Sequence, residues 1–275
     1  MERRPAVAGT FYPSDPKDLR HMIETLMEQA GANEAEKRIV SCVAPHAGYI
    51  YSGNVAAYTY KALKQTRNIR RVGVFVIVGP NHTGCGYPVS VSGGDQWATP
   101  LGKVANDKEL AETIARLGNF TIDEEAHKSE HSVEVQLPFL QFTVDKPRCV
   151  FICMGDQSYR SAVALEDAIS EAGAVLGRQI LVIASSDFNH YESKEIAERK
   201  DMPAIKELER LDAKRFHELI GKSGDSACGY GPIAVAVLYA KRHGAESGRL
   251  LKYATSGEIT GDYSSVVAYA SIIFE

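Results

Sequence analysis

The chain has 275 residues, 44% hydrophobic and 24% charged, the balance of a soluble globular protein able to bury a sizeable core without disulfides or a structural metal. A formal net charge of −4 excludes the broad basic face that phosphate backbones require, so nucleic acid is not an expected partner. The opening "MERRPAVAGTFYP" lacks the apolar stretch of a signal peptide, and the apolar runs are too short to cross a bilayer, so no membrane partner is expected either.

Taken in chain order, "RIVSCVA" (38–44), "RVGVFVIVG" (71–79), "RCVFICM" (148–154) and "QILVIAS" (179–185) read as strands buried on both faces. Between them, 53–66, 106–117, 159–177 and 231–244 show helical periodicity, with Gly53 and Gly231 near helix starts and Gly177 and Gly244 at helix ends. "RLLKYATSG" and "SSVVAYASIIFE" add two C-terminal strands. The polar "EEAHKSEHS" (124–132) and the charged helix "KEIAERKDMPAIKELERLD" read as solvated faces or insertions. Strands alternating with helices, with no repeat and no linker, predict one layered α/β domain over 1–275, its central sheet largely parallel or mixed. Five cysteines without a CxxC pair read as reduced thiols in a cytoplasmic protein.

Ligands in such sheets lie beyond the carboxyl ends of the strands. There the sequence places His46 in "PHAGYIYSG", His82 in "PNHTG", Asp187 and His190 in "SDFNHY", and Cys228 in a glycine-rich turn before the last helix. Two imidazoles and one anion suit a transition metal, which points to His46, His82 and a Cys228 thiolate as ligands, the thiol acidified by a helix N-terminus and the metal. His190 would then move protons and Asp187 would orient an imidazole. A rival reading makes Cys228 a nucleophile with His190 as base and Asp187 as orienter, but it leaves His46 and His82 without a role. A zinc-peptidase reading of "HKSEH" (127–131) needs a continuous helix through His127, which Pro138 and the serines at 129 and 132 disfavour.

The stretches "PAVAGTFYP", "PHAGYIYSG", "GPNHTG", "EHSVEVQLPFL", "SSDFNHY", "CGYGPI" and "TSGEITGDYSSVVAYAS" together resemble, in order, the motifs of the Memo family. The resemblance implies a fold like that of the class III, LigB-type extradiol dioxygenases, and a pocket in which His46, His82 and Cys228 match the family's metal-binding residues. It implies iron or copper, with zinc an alternative, and redox or oxygen-dependent chemistry on a small molecule. No nucleotide cofactor is indicated. Thiolate in place of the dioxygenase carboxylate argues against extradiol ring cleavage itself. The family also implies association with a radical-SAM protein and an AMMECR1-like protein, and a non-catalytic alternative in which the pocket binds a peptide. His131 is expected to contact substrate, and Tyr51, Trp97 and Tyr230 to line the cleft, with Trp97 near its opening.

Overall fold

All six runs read as strands form strands in a computed structural model that describes residues 1–31 and 38–275. They are β1 (Ser41–Ala44), β2 (Val74–Pro80), β3 (Arg148–Met154), β4 (Ile180–Ser185), β5 (Gly248–Thr255) and β6 (Val266–Phe274). Their order across the sheet is β5-β6-β1-β4-β2-β3. The four strands from β1 to β3 run parallel, and β6 is antiparallel to both β1 and β5. Short strands extend the β3 edge, Val89–Val91 antiparallel to it and Gly102–Asn106 parallel. The sheet is therefore mixed, with a parallel centre.

Side-chain alternation along the parallel strands explains why both faces are covered. Val74, Val76 and Val78 of β2 point into one apolar cluster, Phe75 and Ile77 into the other. Against the first pack α3 (Lys108–Gly118), α5 (Tyr159–Leu176) and α8 (Tyr230–Arg242), and against the second α1 (Pro16–Gln29), α2 (Tyr49–Gln65) and α4 (Gln136–Thr143). Each aliphatic side chain withdrawn from water in this way contributes about 1.5–3 kcal/mol. The fold is an α/β sandwich of one sheet between two helical layers, as a single layered domain.

Three local expectations change. Helix α2 begins at Tyr49, not near Gly53. A Cβ at Gly53 would stand 2.8 Å from Leu26 Cδ1, so this glycine serves the close crossing of α1 and α2 rather than a helix start. The charged segment from Lys194 is the helix α6 (Lys194–Glu209), followed by α7 (Ala213–Ser223), and it is solvated on one face only, since Ala197, Asp201, Ala204, Ile205 and Leu208 are buried. The polar stretch 124–132 is not a solvated face: His127, Glu130 and Ser132 are buried, because the Arg3 guanidinium reaches in to the carbonyls of His127 and Glu130.

Candidate metal centre

Three parallel strands deliver side chains to one edge of the sheet at the same offset: His46, Asp187 and His82 each lie two residues beyond the end of β1, β4 and β2. Cys228 arrives from the opposite direction, two residues before α8. Gly229 permits that approach, because a Cβ there would be 2.4 Å from the Ser185 carbonyl oxygen. A fifth segment, the turns that lead into α4, brings Glu130 and His131.

The imidazoles of His46, His82 and His131 face one another, with ring centroids 5.2 Å apart for His46 and His82, 5.4 Å for His46 and His131, and 4.6 Å for His82 and His131. One ligand atom from each lies within 4.8 Å of the others, a spacing that can hold a single metal ion. Hydrogen bonding decides which atoms those are. Ser185 Oγ donates its one proton to the Ser132 carbonyl at 2.7 Å and accepts from Gln136 Nε2 at 2.8 Å. His46 Nδ1, 2.9 Å from the same oxygen, must therefore donate, which leaves the lone pair on His46 Nε2. His82 Nδ1 faces Glu130 Oε1 at 2.9 Å, an acceptor-only carboxylate, so His82 also keeps its lone pair on Nε2. The same oxygen is 3.4 Å from His131 Nδ1.

Electrostatics favour the neutral imidazoles that metals bind. Burial, reinforced by the neighbouring His131 and His82, holds His46 well below its usual value. Burial also lowers His131. For Glu130, burial alone would raise the carboxyl, but the hydrogen bond from His82 Nδ1, with those from the Ser132 and His82 amides, outweighs it and keeps Glu130 ionised far below the ordinary carboxylate range. This residue organises two imidazoles and was not singled out from the sequence, although it begins the stretch "EHSVEVQLPFL".

Cys228 stands beside the imidazole set rather than within it: its Sγ is 3.1 Å from His46 Nε2 and accepts from the Asp187 amide at 3.3 Å. Burial and then the Asp187 charge push the thiol well above its ordinary value, against the acidifying effect of the helix N-terminus. Asp187 Oδ1 accepts from the His46 amide at 2.8 Å, and burial raises its carboxyl to about 7. His190 is fixed separately, Nδ1 facing the Ser226 carbonyl at 3.1 Å, and burial lowers it. The nitrogen beside the thiol thus belongs to His46 and not to His190, the base assigned in the nucleophile reading.

The aromatic candidates diverge. Tyr51 is exposed on the first turn of α2. Tyr230 packs edge-on to His217, with centroids 5.2 Å apart. Trp97 is not near an opening: it is fully buried, stacked 4.3 Å from Phe151 and capped by the Arg3 guanidinium at 4.1 Å. Its nearest imidazole is His127, which lies in a turn and not on a helix, so the peptidase arrangement does not form.

The sequence profile of the family described as Memo-like protein matches residues 3–273. The chain belongs to the Memo family. A MEMO1 family protein of Methanopyrus kandleri is 44% identical over 283 residues, covering 100% of this chain and 99% of that protein. One from Methanocaldococcus jannaschii is 44% identical over 284 residues, covering 99% of each. Among solved structures, an uncharacterized protein of Escherichia coli K12 is similar with a TM-score of 0.53 and 14% identity, over 86% of this chain and 100% of that one, a likeness of fold alone. In this Memo chain, stretches that carry the family resemblance meet at the pocket and bring together His46, His82, His131, Asp187 and Cys228.

Proposed function

We propose that this Memo family protein binds one transition-metal ion through Nε2 of His46, His82 and His131, and uses it in redox or oxygen-dependent chemistry on a small molecule. The observation that carries the reading is the pair of fixed tautomers, which leaves the lone pairs of His46 and His82 on Nε2 in a cluster whose ligand atoms lie within 4.8 Å of one another. A bound ion of this kind supplies Lewis acidity or one-electron chemistry. The chain's own groups do the rest. Glu130 orients two rings, Asp187 holds the His46 backbone and can keep a proton near neutral pH, and His190 offers a second proton site. Cys228 adds a soft donor next to His46, which favours iron or copper over magnesium or calcium.

The test is anaerobic titration with iron(II), copper(I) and zinc(II) of the parent protein and of His46→Ala, His82→Ala, His131→Ala and Cys228→Ser. One-to-one binding that each histidine change abolishes supports the site. Loss in Cys228→Ser with retention in His131→Ala would replace the third imidazole by the thiol, and binding indifferent to all four changes would end the metal reading.

The 3.1 Å contact between Cys228 and His46 supports a second reading, a thiol nucleophile with His46 as its base. Labelling of Cys228 by iodoacetamide separates the two: a nucleophile is labelled whatever metal is added, whereas a residue at the metal is protected by zinc.

A further inference from the structure

Phe11 has two neighbours of different character. On one side its ring lies 4.7 Å from that of His131, tilted by 49°. On the other it lines a cavity of about 220 Å³ whose walls include Tyr12, Pro13, Met22, Tyr49 and Ile50. The cavity is built firmly. Phe11 is tied by its carbonyl to the Tyr49 amide at 2.7 Å, and the turn before it closes through the Gly9 amide and the Tyr12 carbonyl, also at 2.7 Å. Ile50 nevertheless remains 60% exposed, four residues after His46 on the first turn of α2. Neither the metal ligands nor the core accounts for an open apolar cavity that shares a wall with the imidazole cluster.

We infer that this cavity is the subsite for the apolar part of the small molecule whose polar head binds at the three imidazoles. The inference rests on the proposed metal reading. An imidazole bound to a metal is a neutral ligand, so three of them leave the charge of a divalent ion uncompensated within the ligand set, and the head is an anionic oxygen donor. Phe11, Met22 and Ile50 contribute no charge, so the tail is a ring or a branched aliphatic group. A cavity of this size takes one such group and not a long chain. The ligand class is an amphiphilic acid whose tail packs on Phe11, the residue that also contacts His131.

Hydroxamates separate head from tail. Acetohydroxamate and benzohydroxamate present the same chelating head, and only the second has a ring to bury. Calorimetric titration into the zinc-loaded full chain should show benzohydroxamate binding about tenfold more tightly, the gain from burying a phenyl face. Ile50→Asp and Met22→Glu, neither of which touches the imidazoles, should each remove most of that gain and leave acetohydroxamate binding unchanged. Equal affinities for the two probes, or a gain that persists in both variants, overturns the subsite. Failure of zinc to bind one-to-one, measured first, removes the metal reading by itself. The comparison is then made between acetate and phenylacetate on the metal-free chain, where the same preference and its loss in the two variants sustains the subsite and equal affinity overturns it.

Discussion

Glu130 accepts from His82 Nδ1, from the His82 amide, and from the amides of His131 and Ser132, at 2.6–2.9 Å. Glu130→Gln keeps the shape but replaces one acceptor oxygen by a donor and removes the charge. The His82 ring is then free to turn, and zinc affinity should fall about 10–100-fold, read by competition against a chromogenic chelator; unchanged affinity would show that the tautomer argument is wrong. A different residue-scale strain lies at Tyr191, next to His190, where φ is +62° and the side chain is 79% exposed. A bulky residue in the left-handed region costs on the order of 1–2 kcal/mol. Tyr191→Gly should therefore raise the thermal midpoint by a few degrees, to the extent that the relieved strain exceeds glycine's added freedom in the unfolded chain. A lowered midpoint would mean that the ring makes contacts worth more than the strain.

At the scale of elements, the loop that carries Glu130 and His131 is held by the N-terminal segment. Glu134, fully buried, accepts from Arg3 Nη1 at 2.6 Å, from the Ala6 and Val7 amides, and from the Tyr12 hydroxyl. Glu134→Ala would strand a buried guanidinium together with two amides and a phenol, a loss of about 3–5 kcal/mol in urea denaturation. Because Arg3 also anchors the Glu130 carbonyl, the same variant should bind zinc more weakly, whereas a stability loss with full zinc affinity would uncouple clamp from site. This clamp also explains what the sequence conceals. Strands β1 to β4 are legible because continuous runs such as Val74–Val78 can only be buried, and the strand ends then locate His46, His82 and Asp187. The stretch 124–132 is not legible, since its polar residues are buried by partners more than a hundred positions away in sequence. Trp97 is misjudged for the same reason: local context shows a lone aromatic, and only the tertiary fold supplies Arg3 and Phe151. Helices α1 and α7 bury a single stripe each, Leu19, Ile23 and Met27 in one and Ala213, Phe216 and Ile220 in the other, a pattern easily lost among their charges.

Over the whole molecule, two sets of buried groups pull stability in opposite directions with pH. Histidines 46, 131 and 190 are lowered, and His127 falls to about 4, all led by burial. Their folded state binds fewer protons than the unfolded chain, so their contribution is present above the ordinary imidazole range and is lost as pH falls through it. Asp187, raised to about 7, and Asp201, raised to about 9, act with the other sign. For Asp201 the causes are burial and then the charge of Asp225, against hydrogen bonds from the Tyr253 hydroxyl and the Asn189 amide. A carboxyl that keeps its proton only in the folded state contributes in full below about pH 4, and that contribution is lost as pH rises toward about 9. The position matters beyond stability, because Asp225 opens the turn whose Ser226 and Cys228 hold His190 and meet His46. Asp201→Asn supplies a neutral group at every pH. Its unfolding free energy should match the parent at about pH 4 and exceed it near pH 9, with the gap growing by up to about 1.4 kcal/mol per pH unit between. Urea titrations at the two pH values measure this, and parallel pH profiles for parent and variant would show that Asp201 ionises normally and that the alkaline limit of this fold lies elsewhere.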